Sequence, residues 1–344
     1  MTNFNPDVSK VKLDSYLPFL KDKSICIFGA SGLIGRYLLD LLVYADQAHN
    51  LNLKIQAVVN RAYSLIKLQE RFAGYDNVSV CARDLQKPLP GKCDFDLIVQ
   101  AASPADPMSY ATNPVGTFLT NVDGCKNVLE WMASSDAKMV YLSSGEVYGQ
   151  TQPGEMGYLE EDYGYIDHLT PRACYSMGKR AAETLCRLYL EQYKSKVLIA
   201  RLCHIYGPTI SERNSRADAQ FLRKARAHED IVLKSKGDQV RSYCYVADAC
   251  TALLEILKSG SVGEAYNISN DSSVVSIYDF AKQIAEESGV KVCFSDPSIL
   301  EAKGFSKVSR AVLSSKKLQS LGWLPEVSLK EGVARMLKTK SEME

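Results

Sequence analysis

Short, nearly continuous apolar runs alternate along the first part of the chain with segments whose apolar residues recur every three or four positions. The runs predict buried strands, and the helical periodicity predicts amphipathic helices between them. The predicted strands are 24–30, 53–60, 78–85, 95–103, 138–145 and 196–208, and the predicted helices are 33–45, 64–74, 116–135 and 174–193. Strands that are apolar throughout are buried on both faces, so this alternation predicts an α/β fold with a doubly wound parallel sheet.

The rhythm changes after Pro208, where the chain becomes more charged and its apolar residues alternate irregularly. We interpret this part as a smaller substrate-binding lobe that is interleaved with late elements of the main sheet. The predicted sheet domain covers 24–207 with further elements near 239–268, and the predicted lobe covers 208–238 and 269–344. A short helix is also predicted at 11–20, ahead of the first strand.

The overall charge and hydropathy argue against two classes of partner. Lys and Arg total 41 and Asp and Glu total 40, so the formal net charge of +1 predicts binding neither to nucleic acid nor to an anionic membrane. No apolar run reaches the length that spans a bilayer, and no basic stretch followed by an apolar one opens the sequence. We therefore expect a cytoplasmic protein. The ten cysteines and four histidines are dispersed without zinc-like spacing, so we predict reduced thiols and no metal site.

Three glycines at intervals of three stand between the first predicted strand and the first long helix. Gly29, Gly32 and Gly35 give the spacing G-x-x-G-x-x-G in the stretch ICIFGASGLIGRYLLDLL. Glycines here allow a tight turn, a close approach of a pyrophosphate to backbone N–H groups, and close packing of helix on strand. The stretch therefore predicts a dinucleotide-binding turn, and with it a Rossmann sheet.

The end of the second strand predicts which nicotinamide cofactor is bound. An acidic residue at this point favours NAD, whereas an arginine accommodates the 2′-phosphate of NADP. The chain has Asn60 and Arg61 here and no carboxylate, so we predict NADP or NAD with a preference for NADP. Asp84, at the end of the third strand, is expected to bond the adenine amine.

A tyrosine followed four residues later by a lysine places both side chains on one helix face. In a nicotinamide enzyme the lysine lowers the pKa of the tyrosine, so that the phenolate accepts a proton as hydride leaves the substrate. The chain has three such pairs, at Tyr63/Lys67, Tyr175/Lys179 and Tyr278/Lys282. Only the second begins a helix after a strand end, VYLSSGEVYG, that carries further polar residues. Because ligands of doubly wound sheets bind at the carboxyl ends of strands, we select Tyr175 and Lys179.

At this point the chain resembles the extended short-chain dehydrogenase/reductase family of nucleotide-sugar enzymes. The resemblance extends from about residue 24 to 337 and rests on GASGLIG, NVDGCKNVLE, SSGEVYG, YSMGK, IYGP, VRSYCYVADAC, EAYNIS and LGWLPEVSLKEG. It implies that Ser144, Tyr175 and Lys179 act on the sugar C4 hydroxyl while the cofactor removes and returns a hydride. The residues predicted to contact the cofactor are Gly29, Ser31, Gly32, Leu33, Ile34, Gly35, Asn60, Arg61, Asp84, Leu85, Ala101, Ala102, Ser103, Asn121, Tyr175 and Lys179.

Within that family the chain is most similar to the UDP-glucuronate decarboxylase group, through AASPADPMSYATNPVGTFLTNVDGCKNVLE and PRACYSMGKRAAETLC. The likeness implies a catalytic role for Glu146 and a substrate-side role for Arg241. The chain departs from the group at Gly145, His204 and Met177, and in having Asn60-Arg61. The predicted catalytic residues are Ser144, Glu146, Tyr175 and Lys179, and the predicted contacts to a nucleotide-sugar substrate, best a UDP-sugar, are Tyr110, Ser144, His204 and Arg241.

Other reactions stay open at this point. A nucleotide-sugar 4-epimerase, a 4,6-dehydratase and a 4-keto reductase use the same C4 oxidation, although Gly145 argues against the dehydratase, which places an acid there. A rival of another class is a non-catalytic NAD(P)-binding sensor or scaffold, which has no need of Ser144, Tyr175 and Lys179 together. The resemblance also implies a homodimer, through the helices at 121–132 and 175–190.

Overall fold

The computed structural model describes residues 4–150, 154, 157–211, 214–306 and 308–339. Its strands are β1 (Ser24–Phe28), β2 (Lys54–Val59), β3 (Val78–Ala82), β4 (Leu97–Gln100), β5 (Lys138–Ser144), β6 (Lys196–Leu202), β7 (His204–Tyr206), β8 (Ile231–Leu233), β9 (Val240–Tyr245), β10 (Ala265–Ile268), β11 (Val274–Ser276), β12 (Val292–Phe294) and β13 (Arg310–Ala311). Its α-helices are α1 (Leu17–Leu20), α2 (Leu33–His49), α3 (Ala62–Arg71), α4 (Pro107–Thr112), α5 (Pro114–Met132), α6 (Ala173–Tyr193), α7 (Ala217–Arg226), α8 (Val246–Ser259), α9 (Ile277–Ser288), α10 (Ile299–Gly304), α11 (Lys316–Gln319) and α12 (Leu329–Lys338). Two 3₁₀ helices cover Pro6–Lys10 and Gly145–Tyr148.

Seven strands form one sheet in the order β3-β2-β1-β4-β5-β6-β10, and every neighbouring pair in it is parallel. The strand order reverses direction between β1 and β4, which is where such sheets open a crevice for ligands. The predicted doubly wound Rossmann sheet is therefore confirmed.

Alternate residues of the strands bury themselves in two separate apolar clusters, one on each face of the sheet. Ile25 and Ile27 of β1 belong to the cluster that α2 and α8 cover, whereas Cys26 and Phe28 belong to the cluster that α5 and α6 cover. This period-2 alternation explains why β1 reads as continuously apolar: both of its faces are inside.

A second, smaller set of strands gathers around β9, which pairs with β7 and β13 in parallel and with β11 in antiparallel orientation. The prediction of one strand over 196–208 is wrong in this respect. The strand breaks at Cys203, whose backbone N–H donates to Ile268 O at 3.0 Å, and β7 then leaves the main sheet to pair with β9. His204 consequently lies at the junction of the two sheets. The domain boundaries given above stay a prediction.

The described residues also bear on membranes and metals. Over these ranges no helix is long and apolar enough to cross a membrane. The same residues contain no group of three or more His, Cys, Asp or Glu side chains arranged to hold a metal ion.

Candidate active site

The glycine turn between β1 and α2 has the shape that a dinucleotide requires. Gly29 has φ +80°, and a Cβ added there would lie 2.7 Å from the backbone nitrogen of Ala102, at the end of β4. A Cβ on Gly35 would lie 2.3 Å from Gly29 O, so the helix approaches the strand as closely as backbone allows. Gly32 caps α2, which leaves the first N–H groups of this helix at the turn. Ser31, Leu33 and Ile34 are the neighbouring residues of the same turn. These residues fit a bound pyrophosphate.

The predicted adenosine end lies at the carboxyl ends of β2 and β3. Asn60, Arg61 and Asp84 are exposed there, while Leu85 is buried and its carbonyl accepts a hydrogen bond from Asn127 Nδ2 at 2.8 Å. Asp84 is tied into its own loop, since its carboxylate accepts from Gln86 N at 3.1 Å. A second exposed cation, Arg83, also follows β3; its backbone N–H donates to Val59 O at 2.8 Å, which joins the two strand ends.

On the other side of the crevice, the end of β4 meets helix α5. Ala101, Ala102 and Ser103 follow this strand, and Ser103 Oγ donates to Asn121 Oδ1 at 2.8 Å. Asn121 is buried and is fixed through Nδ2, which donates to Thr117 O at 2.8 Å. Helix α6 crosses close by, because a Cβ on Gly178 would lie only 3.2 Å from the Asn121 Cβ. The predicted nicotinamide side and the helix of Tyr175 are thus adjacent.

Tyr175 and Ser144 meet between α6 and the end of β5. The Tyr175 ring is buried, and its hydroxyl is hydrogen-bonded to Ser144. Burial, followed by the nearby charge of Glu146, raises the pKa of Tyr175 to about 12, while the Ser144 hydrogen bond opposes this rise. Ser144 also caps the 3₁₀ helix, since its Oγ accepts from Glu146 N at 3.2 Å.

Lys179 lies one helical turn after Tyr175 and is almost completely buried. Its Nζ donates to Leu142 O at 2.6 Å and lies 4.8 Å from the ring centre of Tyr141 and 5.8 Å from that of Tyr175. Removal from water lowers the pKa of Lys179 from 10.5 to about 8. The ammonium therefore lies between a neutral carbonyl and two aromatic rings, one of which is that of Tyr175.

Tyr110 and Glu146 complete the immediate surroundings of Tyr175. The Tyr110 ring stacks on the Tyr175 ring with centres 4.8 Å apart and planes 23° apart. The Arg172 guanidinium lies over the Tyr110 ring, 4.7 Å from the ring centre. Its Nη2 is 2.6 Å from Glu146 Oε1. Arg172 immediately precedes α6, so the start of this helix contributes both Arg172 and Tyr175 to the cluster.

The two predicted substrate contacts at the second sheet lie in a positively charged neighbourhood. His204 reaches solvent at the start of β7, yet protein surrounds it on most sides. This desolvation, together with the charges of Arg241 and Arg216, lowers the pKa of His204 well below its ordinary value, so the ring is neutral at pH 7. Arg241 is buried and donates to four neutral oxygens, of Gln239, Val240, Val308 and Ser309, at 2.8–3.3 Å. These neutral acceptors leave its charge intact.

Hydrogen bonds join the start of helix α4, which carries Tyr110, to the beginning of α7. Asp106 Oδ1 accepts from Ser215 N at 3.1 Å and is also bonded to the Ser215 hydroxyl, which accepts from Met108 N at 3.1 Å. Arg216 comes next and forms a two-pronged ion pair with Asp218. It lies near enough to Tyr110 and Tyr175 for these phenols to affect its pKa.

The other two Tyr–Lys pairs lie on the surface. Tyr63 is 48% exposed and Tyr278 37% exposed, and their lysines form ion pairs with Glu70 and Glu286 on their own helices. Neither pair contacts the crevice at the strand ends that holds Ser144 and Tyr175.

The model of the NAD-dependent epimerase/dehydratase family matches residues 25–269 of the chain. The chain belongs to this family. Among its relatives, UDP-glucuronic acid decarboxylase 1 of Xenopus tropicalis is 30% identical over 317 residues, covering 92% of this chain and 71% of the relative. UDP-glucuronic acid decarboxylase 3 of Arabidopsis thaliana is also 30% identical over 317 residues, with 91% and 87% covered. The predicted membership of the extended short-chain dehydrogenase/reductase enzymes is thereby confirmed.

Solved structures of the epimerase/dehydratase kind share the fold. The dTDP-glucose 4,6-dehydratase of Bacillus anthracis, in complex with NAD, has a TM-score of 0.74 at 21% identity and covers 92% of this chain and 96% of its own. The UDP-glucuronic acid 4-epimerase of Bacillus cereus, in complex with UDP-glucuronic acid and NAD, has a TM-score of 0.74 at 19% identity, with 91% and 98% covered. Dependence on a nicotinamide dinucleotide is a property of the family to which the chain belongs.

In this member of the family, three cations beside the predicted site residues were missed by the sequence analysis. They are Arg83, Arg172 and Arg216. Arg172 stands three residues before Tyr175 in PRACYSMGK, and this position at the start of the helix was a signal that could have identified it. Arg83 directly precedes Asp84, which was identified. Arg216 comes near the phenols through the fold alone, with no local signal in its sequence.

Proposed function

We propose that the chain decarboxylates UDP-glucuronate through transient oxidation at the sugar C4. The observation that carries this proposal is the group of Ser144, Tyr175 and Lys179 next to a glycine turn shaped for a dinucleotide. The similarity to UDP-glucuronic acid decarboxylases over more than nine tenths of the chain supports this choice among the family's reactions.

The chain's own residues move the proton of the C4 hydroxyl. When bound, the nicotinamide supplies hydride acceptance and return at C4. Tyr175, as the phenolate, accepts the hydroxyl proton as C4 becomes a ketone, and Lys179 stabilises the phenolate charge. The 4-ketone makes the C6 carboxylate a β-keto acid, so the C5–C6 bond breaks, carbon dioxide leaves and its electron pair stays on an enolate. The enolate takes a proton at C5, and Tyr175 returns its proton to the C4 oxygen.

We assign Glu146 to the C5 side, where it orders or activates the water that supplies this proton. Its carboxylate lies close enough to Tyr175 to raise the pKa of that phenol, which puts it within the reaction space. Gly145 beside it argues against a 4,6-dehydratase, although the chain departs from the decarboxylase group at this same position. A Cβ at that position would lie 2.8 Å from Leu313 Cδ1, so the acid that a 4,6-dehydratase needs there would have to displace the leucine.

The charge of the crevice suits an anionic nucleotide sugar. Arg172, Arg216 and Arg241 converge on the region around Tyr175, and His204 adds a neutral ring that donates or accepts hydrogen bonds. We infer that Arg241 and His204 contact the diphosphate, with Tyr110 against the sugar. A diphosphate and a sugar carboxylate are the anions that such guanidinium groups recognise.

Mass spectrometry tests the reaction. Purified protein is incubated with UDP-glucuronate and either NAD or NADP, and a product lighter by carbon dioxide is expected. A product of unchanged mass that separates from the substrate by chromatography would replace decarboxylation by 4-epimerisation. A product lighter by water, or net consumption of NADPH on a 4-keto sugar, would favour the dehydratase or reductase alternatives. Cofactor binding without turnover across a panel of nucleotide sugars would favour the sensor.

We infer that the cofactor is NADP in preference to NAD, because two arginines mark the adenosine end. Arg61 and Arg83 are both exposed at the neighbouring ends of β2 and β3, and a 2′-phosphate between them would receive two charge-assisted contacts. Replacing either arginine with alanine should weaken NADPH binding about tenfold and leave NADH binding nearly unchanged. Arg187→Ala, on the surface of α6, is the control. Equal losses for both cofactors, or a native preference for NADH, would contradict the inference.

We also keep the homodimer and the cytoplasmic location as proposals. The helices α5 and α6 pack side by side, and α6 presents the half-exposed Leu188 and Tyr193 outward. Light scattering of the purified protein at several concentrations tests the dimer, and fractionation of the source cells tests the location.

A further inference from the structure

Arg172 contacts two predicted site residues, Glu146 and Tyr110. The edge of its guanidinium meets Glu146, with Nη2 2.6 Å from Oε1. The same guanidinium lies 4.7 Å from the centre of the Tyr110 ring, whose ring stacks at 4.8 Å on Tyr175. A planar guanidinium makes in-plane hydrogen bonds and stacks on aromatic faces at the same time, so one side chain serves both contacts.

We propose that Arg172 is a positioning residue for the reaction proposed above, on which this inference rests: it holds the Glu146 carboxylate at the sugar and the Tyr110 ring on the ring of Tyr175. Arg172 belongs to the turn that starts α6, the helix of Tyr175, so its contacts tie the 3₁₀ helix of Glu146 and helix α4 of Tyr110 to the catalytic helix. Neither contact places Arg172 on the reacting atoms.

The ion pair between Arg172 and Glu146 also affects the pKa of Tyr175. A carboxylate beside Tyr175 opposes formation of the phenolate, and the charge of Glu146 indeed raises the pKa of Tyr175. Arg172 acts in the opposite direction on the same phenol. Arg172 therefore offsets part of the effect that Glu146 has on Tyr175. The other groups near Tyr175 include Ser144 and Tyr141 from β5, Tyr110 from α4, Lys179 from α6 and Arg216 from the start of α7.

The ion pair is only partly buried, which limits its contribution to the stability of the fold. The Arg172 side chain is 21% exposed and that of Glu146 34% exposed, and pairs that water reaches contribute little to the stability of a fold. The loss of Arg172 should therefore leave the protein folded and able to bind its cofactor. This makes the variant usable as a test.

The test measures the ionisation of Tyr175 by NMR in the protein that carries [¹³Cζ]tyrosine, saturated with NADP or NAD, whichever binds more tightly, with Tyr175→Phe identifying the signal. In Arg172→Gln the uncompensated Glu146 should raise the pKa of Tyr175 by about one unit, a tenfold smaller phenolate fraction at a given pH. In the double variant Arg172→Gln/Glu146→Gln both charges are gone, and the pKa should fall to the native value or below it, because Glu146 affects Tyr175 more than Arg172 does. Arg187→Gln removes an exposed arginine of α6 that pairs with Glu191, and it should change nothing.

A second variant separates charge from shape. Arg172→Lys keeps the charge but loses the planar fork, so the pKa of Tyr175 should stay near native while kcat falls about tenfold, because Glu146 and Tyr110 are held less firmly. Native kcat in this variant would overturn the positioning role. So would an unchanged Tyr175 pKa in Arg172→Gln, or a Tyr175 pKa in the double variant that stays as high as in the single one.

The NMR readout needs no turnover, so the two proposals fail separately. If the native protein does not decarboxylate UDP-glucuronate but the pKa pattern is found, the proposed function is wrong and the connection between Arg172, Glu146 and Tyr175 stands. If decarboxylation is found without the pattern, only the role of Arg172 is wrong.

Discussion

Two charged residues on successive turns of helix α6, Lys179 and Glu183, have very different partners. Lys179 donates to a backbone carbonyl, Leu142 O, and lies against two aromatic rings, while the charge of Glu183 raises its pKa only in part against the effect of burial. One turn later Glu183 receives two hydrogen bonds from Arg201, Nη2 to Oε2 at 2.8 Å and Nε to Oε1 at 3.0 Å, and a third from Ser143 Oγ at 2.5 Å. Among the described residues, the ammonium of Lys179 therefore has one hydrogen-bond acceptor, a neutral carbonyl, whereas the carboxylate of Glu183 accepts three hydrogen bonds.

Arg201 donates hydrogen bonds to further partners besides Glu183. Its Nη1 donates to Glu160 O at 2.7 Å and to the Tyr148 hydroxyl at 3.1 Å, and that hydroxyl donates to Asn267 Oδ1 at 2.6 Å. This network joins β6, β10 and the loop before α6, so it holds the helix in place. A desolvated lysine contributes nothing comparable to the fold, which is what we expect of a group retained for catalysis.

The largest effect, a loss of turnover, should come from substitution of Tyr175 on helix α6. Tyr175→Phe removes the proton acceptor but keeps the ring and its stacking on Tyr110, so turnover should fall by a factor on the order of 10³. Cofactor affinity, measured by fluorescence titration, should change little. Tyr193→Phe, on an exposed face of the same helix, is the matched control. Turnover that survives in Tyr175→Phe would show that another group accepts the proton.

Substitution of Arg201, the partner of Glu183, should instead lower the stability of the fold. Arg201→Met leaves the Glu183 charge buried without its cation, which should lower the free energy of unfolding by about 3–5 kcal/mol in urea denaturation. The double variant Arg201→Met/Glu183→Met removes both charges and should recover part of this loss. If the double variant is as unstable as the single one, packing of the Arg201 side chain, and not the ion pair, holds the helix.

What could be predicted from the sequence follows the range of the interactions involved. Tyr175 and Lys179 were found because a spacing of four residues on a helix is local, and Gly29 and Gly35 because the turn itself demands glycine. Glu146 was predicted through the likeness to the decarboxylase group, which rests on short stretches of sequence. These residues owe their placement to neighbours in the chain.

What was missed depends on distant partners. The apolar run continues through Cys203, so nothing local shows that the strand ends there and that β7 changes to the sheet of β9. Arg172 stands close to Tyr175 in the sequence and could have been identified, whereas Arg216 approaches the phenols only because α4, α6 and α7 come together. The same holds for Arg201, which as one arginine inside an apolar strand gives no sign that Glu183 faces it.

The smallest effect sharpens the comparison through pH. The pKa of Lys179 is about 8 in the folded protein and near 10.5 when exposed, so between these values the unfolded chain binds more protons and stability rises with pH. Each pKa unit corresponds to about 1.4 kcal/mol, so the native protein should gain up to about 3 kcal/mol relative to Lys179→Met between pH 8 and 10.5. Lys126→Met, at an exposed ion pair of α5, should show no such gain. Parallel stability curves for the native protein and Lys179→Met would mean that the lysine is better compensated than its neutral carbonyl partner indicates, and the contrast between the two turns of α6 would disappear.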